Sequence, residues 1–436
     1  MNAENSDIYY RSRIMSADEA VQIIKSGDRV IDGHGAGQPT LLREAMVRKA
    51  DELENVEVIC GFALGESEYC QPEYQGSFIF NSVFNMRPTR QAHWEGRAEF
   101  TPAPFSELDR LFTTRLLPDV LFIQVTPPNK QGYVSMGISV DYTRAVVDYA
   151  KVVIAQVNKN MPWTYGDALI HVTDIDRFVL GDIPLHEIPI PKKISKIEKS
   201  IAKHIASLIN DGDTIQTGVG AIPDTVISLL SNHKNIGIHT ELASTGIMKM
   251  IEKGVINNSK KSIDKGKVVC TMLGGTKEFY NYVDQNPSFE LRRSGYVNNP
   301  LTIAKQKNMV AMNSAIQVDL LGQVCADMIG PKQFSGVGGQ LDFFRGASMA
   351  DNGKSIVCMP STAANGTVSR IVPFLDAGAA ITDTRYDVMY IVTEYGIADL
   401  WGRTNSQRAK ELIKIAHPDF QEELEKEYYE KILMVA

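Results

Sequence analysis

The feature that most constrains this chain is a pattern that occurs twice. "IIKSGDRVIDGHGAGQPT" ends at Thr40 and "LINDGDTIQTGVGAIPDT" ends at Thr225. With the two aligned, Gly27 matches Gly212, Asp28 matches Asp213, Gly33 matches Gly218, Gly35 matches Gly220, Ala36 matches Ala221 and Thr40 matches Thr225. Each copy reads as helix, turn, apolar strand, glycine loop, helix. A repeat of this kind predicts two related halves. Each half carries its glycine loop at the C-terminal end of a strand, which is where open α/β sheets bind ligands.

The rest of the chain agrees with that reading. "DVLFIQVTPP", "KVVIAQV", "KVVCTML", "KSIVCMP" and "VMYIVTEYG" are short apolar runs bounded by turn residues, as buried strands of a mainly parallel sheet would be. "ADEAVQIIKSGD", "IEKSIAKHIASLINDGD" and "SQRAKELIKIAHPDFQEELEKEYYEKI" carry helical spacing. The predicted class is α/β, two related domains with mainly parallel sheets. Three prolines and a cationic stretch in "GDIPLHEIPIPKKISKIEKS", residues 181–200, predict a linker. The expected domains are therefore 1–190 and 191–436. "NNSKKSIDKGK", residues 257–267, is expected to be a polar surface loop.

Composition narrows the function. Of 436 residues, 44% are hydrophobic and 22% charged, which suits a soluble globular protein with a large core. A net charge of −7 argues against non-specific nucleic-acid binding. The five cysteines (Cys60, Cys70, Cys270, Cys325, Cys358) form no CxxC, and an odd, scattered set fits a reducing compartment. The start lacks the apolar core of a secretory signal, and no run of 18 apolar residues occurs. A cytoplasmic protein without a membrane span is expected.

Several stretches could carry chemistry. "GVGAIP", Gly218 to Pro223, could present backbone amides to an anion, or could simply be a tight strand-to-helix turn. Neither it nor "GHGAG" is GxGxxG, so an NAD-binding fingerprint is poorly supported. "SGVGGQLDFFRGASMA", Ser335 to Ala350, could form an oxyanion hole or a bend where two backbones pack. Glu241 in "IGIHTELASTG" leaves an apolar strand ahead of small residues that read as a helix start. It is either a charge favoured at a helix N-terminus or a nucleophile. Glu394 in "VTEYGIADLWGRT" competes with it, unless that acid is buried against Arg403 or a backbone amide. Composition does not rank the two. His34 lies in the first glycine loop and Gln216 at the second repeat strand's end, and both residue types are commonly structural. HExxH, HxxxH and GxSxG are absent, so a metal site and a serine hydrolase are disfavoured. Pro418 is expected to stop a helix, leaving His417 structural.

Seven motifs in order are "GVGAIP", "HTELASTG", "YVNNP", "MNSAIQVDLLGQV", "GVGGQLDFFRGA", "VTEYGIADLWGRT" and "LIKIAHPDF". Together they resemble the acetyl-CoA hydrolase/transferase family of class I CoA-transferases, over nearly the whole chain. "DYTRAVVDYAKVVIAQVNKNMPWTYGDALIHV" is most similar to the 4-hydroxybutyrate branch, next to the butyrate and acetate enzymes. The resemblance implies a fold of the CoA-transferase (NagB/RpiA-like) type. It implies that Glu241 is the nucleophile, and that Gly218, Val219, Gly220, Ala221 and Ile222 form the first CoA-binding loop. Ser335, Gly338 and Gly339 would belong to the second, with Gly339 supplying an oxyanion-hole amide. Asn298 would lie close to the thioester, and His34 and Gln216 would line the acyl pocket. Coenzyme A would be a substrate, exchanged between an acyl-CoA and a short-chain carboxylate, with no metal and no NAD. A homodimer or homotetramer is implied, with neither nucleic acid nor membrane as partner. An acyl-CoA hydrolase using the same residues, a sugar-phosphate or nucleotide-binding regulator and an NAD-dependent dehydrogenase are the competing readings. The helix after Glu241 is expected to keep its carboxylate ionised.

Overall fold

The structure, a computed structural model, describes residues 3–190, 193–218 and 220–433. It divides into two compact units. The first comprises Met1–Pro189 with Leu242–Ser244 and Val269–Val297; the second comprises Ile190–Glu241, Thr245–Val268 and Asn298–Ala436. The chain thus returns twice to the first unit after leaving it. The class is the expected one, mixed α/β with mainly parallel sheets.

The first unit is built on an eight-stranded sheet. Its strands run, edge to edge, Ile14–Met15, Arg177–Leu180, Val152–Val157, Val120–Val125, Arg29–Ile31, Val56–Cys60, Phe78–Ser82 and Ala98–Phe100. Every pairing in it is parallel. The central strands are apolar runs buried along nearly their whole length, as a sheet covered on both faces requires. A buried ion pair braces the first repeat loop: Arg43 Nε lies 3.0 Å from Asp32 Oδ2. Arg43 also donates to the Glu66 carbonyl and the Tyr69 hydroxyl.

The second unit is built on a six-stranded sheet in the order Gly237–Ile238, Thr214–Thr217, Met309–Ser314, Lys354–Cys358, Tyr390–Thr393 and Gly396–Asp399. All neighbours are parallel except the last pair. The repeat now acquires a topological meaning. In the first sheet Arg29–Ile31 has Val56–Cys60, the next strand in sequence, on one side and the later Val120–Val125 on the other. In the second sheet Thr214–Thr217 has Gly237–Ile238 on one side and the later Met309–Ser314 on the other. Strand order reverses at both places. Each glycine loop therefore leaves its sheet at a switch point, where connections diverge and leave a crevice.

The two copies differ in how the following helix begins. After Arg29–Ile31 the chain makes a short 3-10 turn over Gly35–Gly37, passes Pro39, and starts its helix at Thr40. After Thr214–Thr217 the helix Ala221–Leu229 starts directly behind Gly220, and Pro223 sits in its first turn, where a missing N–H costs nothing.

Three local expectations change. "KVVCTML" breaks into Val268–Cys270 and Met272–Gly274, both outside the main sheets. Lys261, in the middle of the expected surface loop, is fully buried; its ammonium donates to the carbonyls of Ile238 and Lys267, both at 2.8 Å. Two carbonyl acceptors are what let a buried cation persist. The helix Asn405–Lys414 ends ahead of Pro418 as expected, but Pro418 also starts the next one: it is the first residue of Pro418–Tyr428, and His417 caps it by accepting from the Asp419 amide at 3.3 Å. Among the described residues no helix is long and apolar enough to cross a membrane.

Arg43→Ala leaves Asp32 buried without its counter-charge. It is expected to cost about 3–5 kcal/mol, measured as the loss of unfolding free energy in urea.

Candidate active site

Glu241 follows the strand Gly237–Ile238, which pairs in parallel with the glycine-loop strand through Ile238 and Ile215. The two strand ends are therefore side by side. Thr240, fully buried, ties them together: its hydroxyl donates to the Thr217 carbonyl at 3.0 Å and accepts from the Thr217 amide at 3.4 Å. Thr217 immediately precedes Gly218, so one side chain sets the register between Glu241 and the loop.

Asn298 and Gly339 complete the group. Asn298 is fully buried at the end of the short helix Ser294–Val297, and its Nδ2 donates to Glu241 Oε2 at 2.6 Å. Its Oδ1 has no hydrogen-bond partner among the described residues. Gly339 is the N-cap of the helix Gln340–Met349, at φ −93°. A Cβ there would collide with Asn298 Nδ2 and Glu241 Oε2. Glycine is thus needed for close approach and not for its backbone angle, in contrast to Gly338 at φ +54°. The helix beginning at Gln340 presents its N-terminal residue to the Glu241 carboxylate, a position that favours negative charge. This corrects the expectation that the helix following Glu241 does so. That segment first forms a strand, Leu242–Ser244, paired with Met272–Gly274, and its helix begins only at Thr245.

The other predicted residues fall into place differently. Gln216 is buried and locked to Asn313, which sequence reasoning missed. Gln216 Nε2 donates to Asn313 Oδ1 at 3.0 Å, and Gln216 Oε1 accepts from Asn313 Nδ2 and from the Met312 amide, both at 3.1 Å. The signal for Asn313 was a polar residue near the end of the apolar strand Met309–Ser314, two positions beyond Ala311, the register partner of Gln216. A Cβ on Gly218 or Gly220 would meet no atom within 4 Å, so the loop faces open space; Gly220 stands at φ +130°. Ala221 and Ile222 form the first turn of the helix that follows, and no side chain caps it. Val219 lies outside the described residues. Ser335 is half-buried, with its amide on the Asp327 carbonyl at 3.0 Å, and Gly336, Gly338 and Gly339 are buried.

His34 belongs to the first unit. It is buried among Phe62, Phe105 and Tyr142, with ring centroids at 5.8, 5.4 and 5.4 Å. Neither ring nitrogen has a hydrogen-bond partner among the described residues, and burial pushes its pKa down, so the ring is neutral. Glu394 is held by Ser361, whose amide and hydroxyl donate to its two oxygens at 2.9 and 2.8 Å. Arg403 instead donates to the Asp399 carbonyl. Among the described residues no group of three or more metal-ligating side chains occurs.

Comparison with known proteins places this geometry in a family. The model of the acetyl-CoA hydrolase/transferase N-terminal domain matches residues 1–190, and that of the C-terminal domain matches residues 275–428. The chain belongs to the acetyl-CoA hydrolase/transferase family. It is 49% identical to a 4-hydroxybutyrate coenzyme A transferase of Clostridium kluyveri, over 96% of this chain and 98% of that protein. The crystal structure of a 4-hydroxybutyrate CoA-transferase from Porphyromonas gingivalis superimposes with a TM-score of 0.84 at 40% identity, covering 98% of this chain and all of that one. RipA from Yersinia pestis superimposes with a TM-score of 0.93 at 33% identity, covering 97% and 98%.

Gly339→Ala has an ordinary backbone angle to occupy, and the atoms nearest its new Cβ belong to the side chains of Asn298 and Glu241. The variant is expected to fold with an unchanged melting temperature while its Glu241 carboxylate swings away from Asn298, which a structure of the variant checks. Gly220→Ala must hold an alanine at φ +130°. It is expected to lose about 1–3 kcal/mol of stability, read by urea denaturation.

Proposed function

We propose that the protein is a CoA-transferase that exchanges CoA between a short-chain acyl-CoA and a carboxylate, through a thioester on Glu241. The observation that carries this reading is the contact of Glu241 Oε2 with Asn298 Nδ2 against Gly339. It holds a carboxylate between an amide donor and a helix N-terminus, beside an open glycine loop at a switch point. The name of the Clostridium kluyveri relative supports 4-hydroxybutyryl-CoA as donor, and butyryl- or propionyl-CoA as donor and acetate as acceptor follow from the family resemblance.

The chemistry balances without a cofactor. Glu241 attacks the thioester carbonyl carbon, and the oxyanion collapses with cleavage of the carbon–sulfur bond. CoA thiolate leaves and a mixed anhydride remains. The thiolate then attacks the glutamyl carbonyl carbon and expels the product carboxylate, which leaves a glutamyl-CoA thioester. An incoming carboxylate runs the two steps in reverse. Covalent catalysis divides one difficult exchange into two easier ones. The second amide hydrogen of Asn298 Nδ2 and the Gly339 amide are suited to stabilise the oxyanion, each donor contributing about 3 kcal/mol. The amides at Gly218, Gly220, Ala221 and Ile222, with those at Ser335 and Gly338, suit the CoA phosphates and pantetheine. His34, neutral among aromatic rings and with no hydrogen-bond partner among the described residues, suits an acyl chain with a polar end.

Acyl-CoA hydrolysis at the same site is the second reading, because water could take the carboxylate's place in the last attack. CoA release measured with and without acetate separates them: a transferase requires the acceptor. Glu241→Ala is expected to abolish exchange. Borohydride is expected to inactivate the wild type only after acyl-CoA has been added, by reducing the enzyme thioester. Full activity in Glu241→Ala would sink this reading and move attention to Glu394.

A further inference from the structure

The glycine loop that ends at Gly339 is gripped on both flanks by one short segment, 382–387. Upstream, the Asp327 carbonyl accepts from the amides of Phe334 and Ser335, at 2.7 and 3.0 Å, and Asp327 Oδ2 accepts from Gln333 Nε2 at 2.9 Å. Asp327 Oδ1 in turn accepts from the Thr382 hydroxyl. Downstream, Gln340 Nε2 donates to Asp383 Oδ2 at 2.6 Å, and Gln340 is the residue directly after Gly339. Further along the same helix, Arg345 lies 3.6 Å from Asp387. The Asp383 backbone is itself fixed by reciprocal bonds with Val324, at 3.1 and 3.2 Å.

Asp383 is fully buried, and its Oδ1 has no partner among the described residues. A carboxyl in that condition is costly to a fold, and an apolar residue or an amide would serve packing better. Its expense has an outlet in the bond that its Oδ2 accepts from Gln340. We infer that Asp383 is a positioning residue: acting through Gln340, it holds Gly339 at the distance from Glu241 that the transfer reaction needs. This rests on the CoA-transferase reading of the Glu241 site. The groups that face Asp383 are Gln340, Asp387, Asp327 and Arg345. Burial pushes its pKa up to about 7; the Gln340 bond opposes this, the two acids add to it and Arg345 lowers it. The carboxyl therefore changes charge near neutrality, and the ionised form accepts the stronger bond from Gln340.

The test is steady-state kinetics of acceptor-dependent CoA exchange in Asp383→Ala, Asp383→Asn, Gln340→Leu and the double variant Asp383→Ala/Gln340→Leu. Asp383→Ala and Gln340→Leu are each expected to lower kcat at least about tenfold, as a small misplacement of reacting groups does. KM for acyl-CoA should move by less than about threefold, since transition-state geometry and not ground-state binding is lost. The double variant should be no worse than either single one, because both break the same bond. Asp383→Asn should restore kcat to the level the wild type shows below about pH 7, since a neutral amide oxygen accepts the same bond more weakly than the ionised carboxylate. The wild-type rise of kcat through about pH 7 should be flat in Asp383→Asn. If Asp383→Ala fails to fold, Gln340→Leu and Asp383→Asn carry the test. Unchanged kcat in Gln340→Leu, or losses that add in the double variant, would overturn the inference. Glu241→Ala run in parallel separates the two ideas. Activity there removes the reaction scheme, whereas an inactive Glu241→Ala beside an unimpaired Gln340→Leu removes only the role of Asp383.

Discussion

A carboxylate pressed against a glycine is the constraint on which the site depends. Glu241 Oε2 can reach the Asn298 amide only because Gly339 has no side chain to fill the same space. The approach sets the N-cap residue of the helix Gln340–Met349 against the carboxylate, a position that favours negative charge, and under the transferase reading it would put the Gly339 amide beside the carbonyl under attack. Hydrogen bonds at Ser335 and Gln340 hold the flanks of that loop.

The same economy appears in the repeat. Both glycine loops leave parallel strands at the point where strand order reverses, the place at which open α/β sheets bind ligands. The second copy adds two refinements. Its helix starts directly behind Gly220, which brings the first-turn amides up to the loop, and Thr240 links the loop strand to the residue before Glu241. The first copy carries instead a buried ion pair, Asp32 with Arg43, and a neutral histidine boxed by aromatic rings. One sequence pattern thus supports a glycine loop with a helix starting directly behind it in one unit and a histidine among aromatic rings in the other.

Much of this was legible in the chain. Alternation of apolar runs with helical spacing led to the α/β class, because burial on both faces of a parallel sheet leaves a direct imprint on sequence. Glu241, Asn298 and Gly339 were legible through seven ordered motifs, although spacing alone could not separate Glu241 from Glu394. The structure separates their surroundings: Glu394 accepts from both donors of Ser361, while Glu241 accepts from the Asn298 amide, against Gly339. Lys261 and Asn313 were illegible. A lysine in a polar loop and an asparagine at a strand end look ordinary until the carbonyls and the amide they bind are brought to them from elsewhere in the chain.

The sequence by itself determined the two-fold repeat, the parallel sheets and the residue types at the candidate site. Those depend on local pattern, and periodicity and glycine placement are local quantities. Only tertiary structure decided which helix faces the Glu241 carboxylate, that Gly339 is a glycine for closeness and not for backbone angle, and that Asp383 holds the residue next to it. Each of these is a contact between segments tens of residues apart. No propensity encodes such a contact, because it exists only once the strands that carry both partners have paired.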